Sequence, residues 1–212
     1  GLMFPFESKF GDIDGDGDHD VLISQMGGLK VFQTENGVVP EEASMTLGTS
    51  SLIASFDLAD MDGDGDLDLL AGAYPPVDLN TVTVEMIEGH NKVFLNDGQG
   101  ITSPPTWSNN ASGLLTASVS WGDVNGDGLL DAAFGNTAWE TDESAPIIAN
   151  DANLTNHIYL NDGNGGLEST PWWSSATMYP TLSIDLADVD GDGDQDLVVM
   201  NHHSRYEGGD RW

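Results

Sequence analysis

DIDGDGDHD, residues 12–20, recurs three more times along the chain: DMDGDGDLD at 60–68, DVNGDGLLD at 123–131 and DVDGDGDQD at 188–196. The shared pattern is Asp-x-Asp/Asn-Gly-Asp-Gly-x-x-Asp, with oxygen-bearing side chains at positions 1, 3, 5 and 9. Glycines at positions 4 and 6 supply the backbone freedom of a sharp turn. Alternate carboxylates in such a turn converge on one point, and charges so crowded need a cation. A hard ion taking about six to eight oxygen ligands, Ca2+, meets that demand. The expected side-chain ligands are Asp12, Asp14, Asp16 and Asp20, then Asp60, Asp62, Asp64 and Asp68. The third loop offers Asp123, Asn125, Asp127 and Asp131, and the fourth Asp188, Asp190, Asp192 and Asp196. About four ions follow.

The copies separate ligands from their neighbours. Position 7 is Asp18, Asp66, Leu129 and Asp194. A leucine side chain cannot ligate, so this position is expected to offer its backbone carbonyl. Position 8 is His19, Leu67, Leu130 and Gln195, which share no ligating chemistry. Position 2 is Ile13, Met61, Val124 and Val189, always apolar, and is expected to anchor the loop in the core. An EF-hand would need a glutamate at position 12 and flanking helices; here Asp closes the loop at position 9 between strand-like residues. Calcium β-helix nonapeptides come in tandem, and thrombospondin-type loops are closely packed with cysteines between them. These loops start at residues 12, 60, 123 and 188, and the chain has no cysteine.

The chain has 212 residues, 39% of them hydrophobic, enough for a sizeable core. No apolar run approaches the length of a membrane span. No secretory leader is visible, and the start at Gly1 reads as a processed chain or an excised fragment. The net charge of −31 comes from 36 acidic and 5 basic residues, and the four loops hold 18 of the acidic ones. Such a surface repels nucleic acid and anionic membranes, so neither is expected as a partner. Zero cysteine removes a disulfide framework. Because extracellular calcium modules work at weak affinity, the expected compartment is extracellular or the cell surface, with metal in place of disulfides. Asn110-Ala-Ser and Asn153-Leu-Thr are formal glycosylation acceptors of little weight.

A period of 48 to 65 residues with strand-like content points to a propeller or a similar repeat array. An alternating strand precedes each loop: Phe6, Ser8, Phe10; Ala54, Phe56, Leu58; Ala117, Val119, Trp121; Leu182, Ile184, Leu186. Period two predicts one buried face. An apolar run follows each loop, from Val21, Leu69, Ala132 and Leu197, and predicts strands buried on both faces. Lys30-Val31-Phe32, Lys92-Val93-Phe94-Leu95 and His157-Ile158-Tyr159-Leu160 predict a third strand. The last two run into the hairpin signals Asn96-Asp97-Gly98 and Asn161-Asp162-Gly163. A fourth strand is expected near Met45, Trp107 and Trp172. Trp107 and Trp172 each stand 16 residues before the next loop, a constancy that argues for packing between repeats. Four antiparallel strands per repeat make a propeller blade.

The loop, the strands DLLAGAY, DAAFGN and DLVVMN that follow it, and the KVFLNDG and HIYLNDG strands resemble FG-GAP/VCBS repeats. The resemblance implies the calcium-binding β-propellers of integrin α-chains and of many secreted bacterial and archaeal proteins. It implies ligands at positions 1, 3, 5 and 9 of each loop, with the third loop weaker through Asn125 and Leu129. The expected fold is therefore all-β: a single domain over 1–212, an array of about three and a half four-stranded blades. The repeats fall at about 1–50, 51–114, 115–180 and an incomplete 181–212. Blades two and three carry insertions at about 73–90 and 136–156. An array stopping at Trp212 is expected to be completed by a longer chain or by other copies.

Three functions compete. The first is an extracellular, non-catalytic module for adhesion or recognition of a protein or glycan through the inserted loops. The second is a structural subunit of a self-assembling extracellular filament or matrix, templated by an unpaired edge. The third is an enzyme, or the non-catalytic part of a secreted polysaccharide-degrading one. No nucleophile–base arrangement supports catalysis. His202 and His203, with Glu207 or Asp210, could hold a transition metal, but placement at a strand end is the preferred reading. Trp172 and Trp173 could stack a sugar ring.

Overall fold

The computed structural model of the chain describes residues 5–25, 27–47, 52–74, 77–78, 83–84, 90–109, 115–137, 154–176 and 179–201. The first blade is a four-stranded antiparallel sheet of β1 (Pro5–Gly11), β2 (Asp20–Gln25), β3 (Gly28–Phe32) and β4 (Met45–Leu47), in that order. In the second, β5 (Leu52–Ala59) and β6 (Asp68–Tyr74) are followed by a small hairpin, β7 (Val77–Asp78) and β8 (Thr83–Val84). The sheet resumes with β9 (Lys92–Phe94) and β10 (Trp107–Ser108), in the order β5-β6-β9-β10. The third blade is β11 (Thr116–Gly122), β12 (Asp131–Asn136), β13 (His157–Tyr159) and β14 (Trp173–Ser174). The fourth sheet is the pair β15 (Thr181–Ala187) and β16 (Asp196–Asn201). This is the expected propeller-type array, with three four-stranded blades and two strands of a fourth among the described residues, and with every acidic loop joining the first two strands of its sheet.

The core lies between blades. Ile13, Leu22, Leu29, Val31 and Leu47 of blade one meet Ile53, Phe56, Leu69 and Phe94 of blade two. Met61, Leu70, Val93 and Trp107 of blade two meet Val119, Trp121, Phe134 and Tyr159 of blade three. Ala133 and Ile158 meet Ile184 and Leu186 at the last junction. Each large side chain so buried contributes about 1.5–3 kcal/mol relative to exposure. Polar bonds add to the junctions: Glu7 Oε2 accepts Phe56 N–H at 2.9 Å, and Asp57 Oδ2 accepts Trp121 N–H at 3.1 Å. Lys9 Nζ donates to Asp57 Oδ1 at 2.7 Å.

This architecture corrects three expectations. The runs after the loops are buried on both faces only in β6 and β12, because among the described residues only blades two and three have neighbours on both sides. In β2 burial alternates, and in β16 Val198 and Met200 stand exposed. For the same reason Phe10, whose counterparts Leu58, Trp121 and Leu186 pack against a preceding blade, is 65% exposed. The alternation before the loops also breaks at its first member. Every first strand carries a register shift, between Pro5 and Glu7, Ile53 and Ser55, Thr116 and Ser118, and Thr181 and Ser183. The extra residue of a bulge leaves the ladder, so Leu182 is exposed. Finally, Trp107 pairs with Val93 and is buried against Phe134 and Tyr159, as a packing residue should be. Its counterpart is Trp173, which pairs with Ile158; Trp172 lies beside it, 54% exposed. The shared offset came from a one-residue difference in the connection that follows.

Candidate metal centre

The four loops fold alike. Glycines 4 and 6 have positive φ in every copy: 73° and 92° at Gly15 and Gly17, 80° and 100° at Gly191 and Gly193. That region strains any residue with a Cβ. The turn is tightened by the carboxylates themselves. Position 1 accepts the N–H of position 6, as Asp12 does from Gly17 at 3.0 Å and Asp188 from Gly193 at 3.1 Å. Position 3 accepts from position 5, and position 5 from position 7, as in Asp62 from Asp64 and Asp64 from Asp66.

Position 9 is the most constrained. Asp20, Asp68 and Asp131 are fully buried. One oxygen of each accepts the position-2 N–H: from Ile13 at 2.8 Å, Met61 at 2.9 Å and Val124 at 3.1 Å. The other accepts the N–H of a residue just after the third strand: Thr34 at 2.7 Å, Asn96 at 2.8 Å and Asn161 at 2.8 Å. Asp196 accepts only the Val189 N–H, at 3.2 Å, among the described residues.

Carboxylate oxygens of positions 1, 3 and 9 lie within 4.8 Å of one another in three loops: Asp12, Asp14, Asp20; Asp60, Asp62, Asp68; Asp188, Asp190, Asp196. The position-5 residues Asp16, Asp64 and Asp192 and the position-7 residues Asp18, Asp66 and Asp194 stand outside these groups. Asp18 instead accepts the Gly37 N–H at 3.0 Å. In the third loop Asn125 replaces one carboxylate, and its Nδ2 donates to Asp127 Oδ2 at 3.0 Å. Leu129 offers no side-chain oxygen, and Leu130, like Leu67, turns inward to the core as a non-ligand should.

The electrostatics are those of a site that wants a cation. Burial, opposed by the N–H groups of Asn96 and Met61 and aided by Asp62 and Asp64, pushes the Asp68 carboxyl up to about 6. Burial also raises Asp131. Asp14 is raised by desolvation and then by Asp20 and Asp16, and Asp62 by desolvation and then by Asp64. Most telling is Asp12 Oδ1, a buried carboxylate oxygen with no hydrogen-bond partner. Such an atom is costly unless something positive meets it. The donor set is all oxygen, which fits a hard divalent ion. The clusters could therefore hold metal.

A family model described as FG-GAP-like repeat matches residues 12–71 and 147–199. The chain belongs to the FG-GAP-like repeat family. The matched stretches take in loops one, two and four, and pass over the third, where Asn125 and Leu129 depart from the acidic pattern. No curated protein matches this FG-GAP chain. Among solved structures it is similar to the V. cholerae biofilm matrix protein Bap1, at 15% identity and a TM-score of 0.43, covering 82% of this chain and 21% of that one. It is also similar to BBS1N, solved in complex with ARL6DN, at 15% identity and a TM-score of 0.39, covering 92% of this chain and 62% of that one. The FG-GAP chain thus spans less than two thirds of either.

Asn110, Asn153, His202, His203, Glu207 and Asp210 lie outside the described residues. Sequence reasoning took Asn96 and Asn161 only as hairpin residues, and missed that they close the position-9 aspartates. Their recurrence in the shared Leu-Asn-Asp-Gly stretch was the available signal.

Proposed function

We propose that this chain is a non-catalytic, calcium-binding module acting outside the cell, whose array of blades presents loops to a protein or glycan. The reading is carried by one observation: positions 1, 3 and 9 converge in three separate loops, and Asp12 Oδ1 stands buried without a partner. Three carboxylates so close repel one another until a divalent ion replaces that repulsion with attraction. Asp12, Asp14 and Asp20, with their counterparts in the other loops, would hold the ion, with positions 5 and 7 as further oxygen donors. Calcium at extracellular concentration would keep weak sites filled. The −31 charge disfavours nucleic acid and anionic lipid as partners. Among the described residues no helix is long and apolar enough to cross a membrane.

Thermal melts and calorimetric titration test this. Binding to the native state alone stabilises by about 2.7 kcal/mol per site at a hundredfold excess over Kd. Millimolar calcium should therefore raise the melting temperature by about 5–10 °C for each filled site. Equal melting curves in EDTA and in calcium overturn the reading.

A second reading, a subunit that assembles with copies of itself, draws on the outward face of blade four. Val189, Val198 and Met200 are exposed there together, beside a β16 edge with no partner strand among the described residues.

A further inference from the structure

We propose that the first three loops bind their cations cooperatively, coupled through Asn96 and Asn161, while the fourth binds independently. The proposal rests on the calcium reading above and specifies how its sites are regulated.

The coupling path is a continuous run of buried hydrogen bonds. Asp20 Oδ2 accepts the Ile13 N–H at 2.8 Å, and the carbonyl of the same Ile13 accepts Asn96 Nδ2 at 2.8 Å. Asn96 belongs to the next blade, and its own N–H donates to Asp68 Oδ1 at 2.8 Å. Two position-9 aspartates in different loops are therefore joined through one residue, Ile13, and one asparagine. The motif then repeats. Asp68 Oδ2 accepts the Met61 N–H at 2.9 Å, Met61 O accepts Asn161 Nδ2 at 2.9 Å, and Asn161 N–H donates to Asp131 Oδ1 at 2.8 Å. Each asparagine also donates to the position-8 carbonyl of its own loop, Leu67 at 3.2 Å and Leu130 at 3.0 Å. Each holds its hairpin by accepting N–H groups, Gly98 and Gly100 for Asn96 and Gly163 for Asn161.

The run reaches as far as the third loop among the described residues. Among the described residues no side chain donates to Val124 O or Val189 O, so Asp131 and Asp196 are not joined in this way. At the other end Thr34 occupies the same place in blade one. Its N–H donates to Asp20 Oδ1 at 2.7 Å, but its Oγ1 is buried without a partner.

The two-state element is the loop itself. Without a cation, mutual repulsion of positions 1, 3 and 9 favours an opened turn; with one, the turn is fixed. A fixed first loop presents Ile13 O to Asn96. That orders the hairpin and aims its N–H at Asp68, so the second loop pays less conformational entropy to close. Linkage makes the effect reciprocal, and couplings of this kind are typically about fivefold or more in affinity. Asn96 and Asn161 are positioning residues: neither is a ligand.

Calorimetric calcium titration of the 212-residue chain tests the coupling. Asp14→Asn gives the first loop the position-3 amide of the third; at calcium levels that then leave the first loop empty, the second and third sites should bind about fivefold more weakly than in the parent. Asp190→Asn, which makes the same change in the fourth loop, should leave the rest unchanged. Asn96→Thr places at that point the residue blade one already carries there, so the fold has a precedent for it. In the Asn96→Thr background, Asp14→Asn should shift the second and third sites by less than about twofold. Should Asp14→Asn fail to fold, the shape of the titration decides instead. The parent chain should fill its first two loops in a step steeper than independent sites give, and Asn96→Thr should flatten that step. Four independent sites in the parent, or equal effects of Asp14→Asn in both backgrounds, overturn the coupling and leave the calcium reading standing. No calcium-dependent heat or melting shift in any variant overturns both.

Discussion

Gly135 and Ile184 meet across the junction between the third and fourth blades so closely that a Cβ on Gly135 would stand 2.8 Å from Ile184 Cγ2. The junction before it has the same construction, with Gly72 against Thr116 and Val119, each at 2.9 Å from such a Cβ. Both glycines are the residues opposite position −5 of the first strand, the place held by Ser24 in blade one and Met200 in blade four. Gly135→Ala should therefore cost about 1–3 kcal/mol in chemical denaturation, since the stiff β-branched side chains of Ile184 and Thr181 must give way to admit the methyl group. Met200→Ala, at a position 56% exposed, should stay within about 0.5 kcal/mol. A neutral Gly135→Ala would mean the blades are not packed this tightly.

The raised Asp68 carboxyl makes stability depend on pH in a set direction. Its folded value of about 6 lies above the ordinary 3.8. Without calcium, its contribution to stability is fully present below about 3.8 and is lost as pH rises through about 6, by at most about 3 kcal/mol. In EDTA, Asp68→Asn should therefore gain on the parent chain as pH goes from 4.5 to 7.5. Calcium competes with the same proton, so its stabilising effect should grow over that interval. Melting curves at the two pH values, with and without calcium, check both signs. A calcium effect larger at pH 4.5 than at 7.5 would contradict the assignment.

The third loop should be the weakest of the four. Asn125 gives it one carboxylate fewer than its counterparts, and the amide is turned to Asp127 Oδ2 instead of staying free. Ligand charge tunes calcium affinity over several decades. Asn125→Asp should restore the missing charge and tighten that site about tenfold. Calorimetry of Asn125→Asp against the parent measures it, and an unchanged weakest site would remove position 3 from the ligand set.

Local repetition made the fold legible, and neighbours decided what repetition could not. The spacing of Asp12, Asp14 and Asp20 announces the turn, because glycine conformation and charge crowding are properties of nine consecutive residues. Alternation placed Phe56 and Val119 correctly for the same local reason. The exposure of Phe10 and of Val189, at 65% and 66%, was not legible. Each matches its buried counterparts Trp121 and Met61 in kind, and differs in having no blade against it among the described residues. The bulge that exposes Leu182 leaves no residue signature, since Ala54 and Ala117 fill the same place without strain. The bond from Asn161 to Met61 O spans 100 residues and belongs to the packing of blades, which a motif within one repeat does not encode.

Assembly is the remaining expectation. Val189, Val198 and Met200 form an exposed apolar face on blade four, and among the described residues β16 has a free edge. Face-to-face packing of another blade there, in the manner of the internal junctions, is opposed by Met200, which stands where Gly72 and Gly135 admit their neighbours. Edge pairing along β16 is not opposed, because it needs only backbone donors and acceptors. Pairing of that edge with a second copy should bury part of the apolar face as well. The acidic surface resists association until the loops are filled, so self-association should require calcium. Light scattering on the 212-residue chain should then give a particle larger than 22.5 kDa in millimolar calcium and a smaller one in EDTA. Val198→Asp, which sets a charge on the exposed face without touching a loop, should reduce the association while leaving calcium binding intact. A monodisperse 22.5 kDa species in calcium would show that this face is satisfied within a single chain.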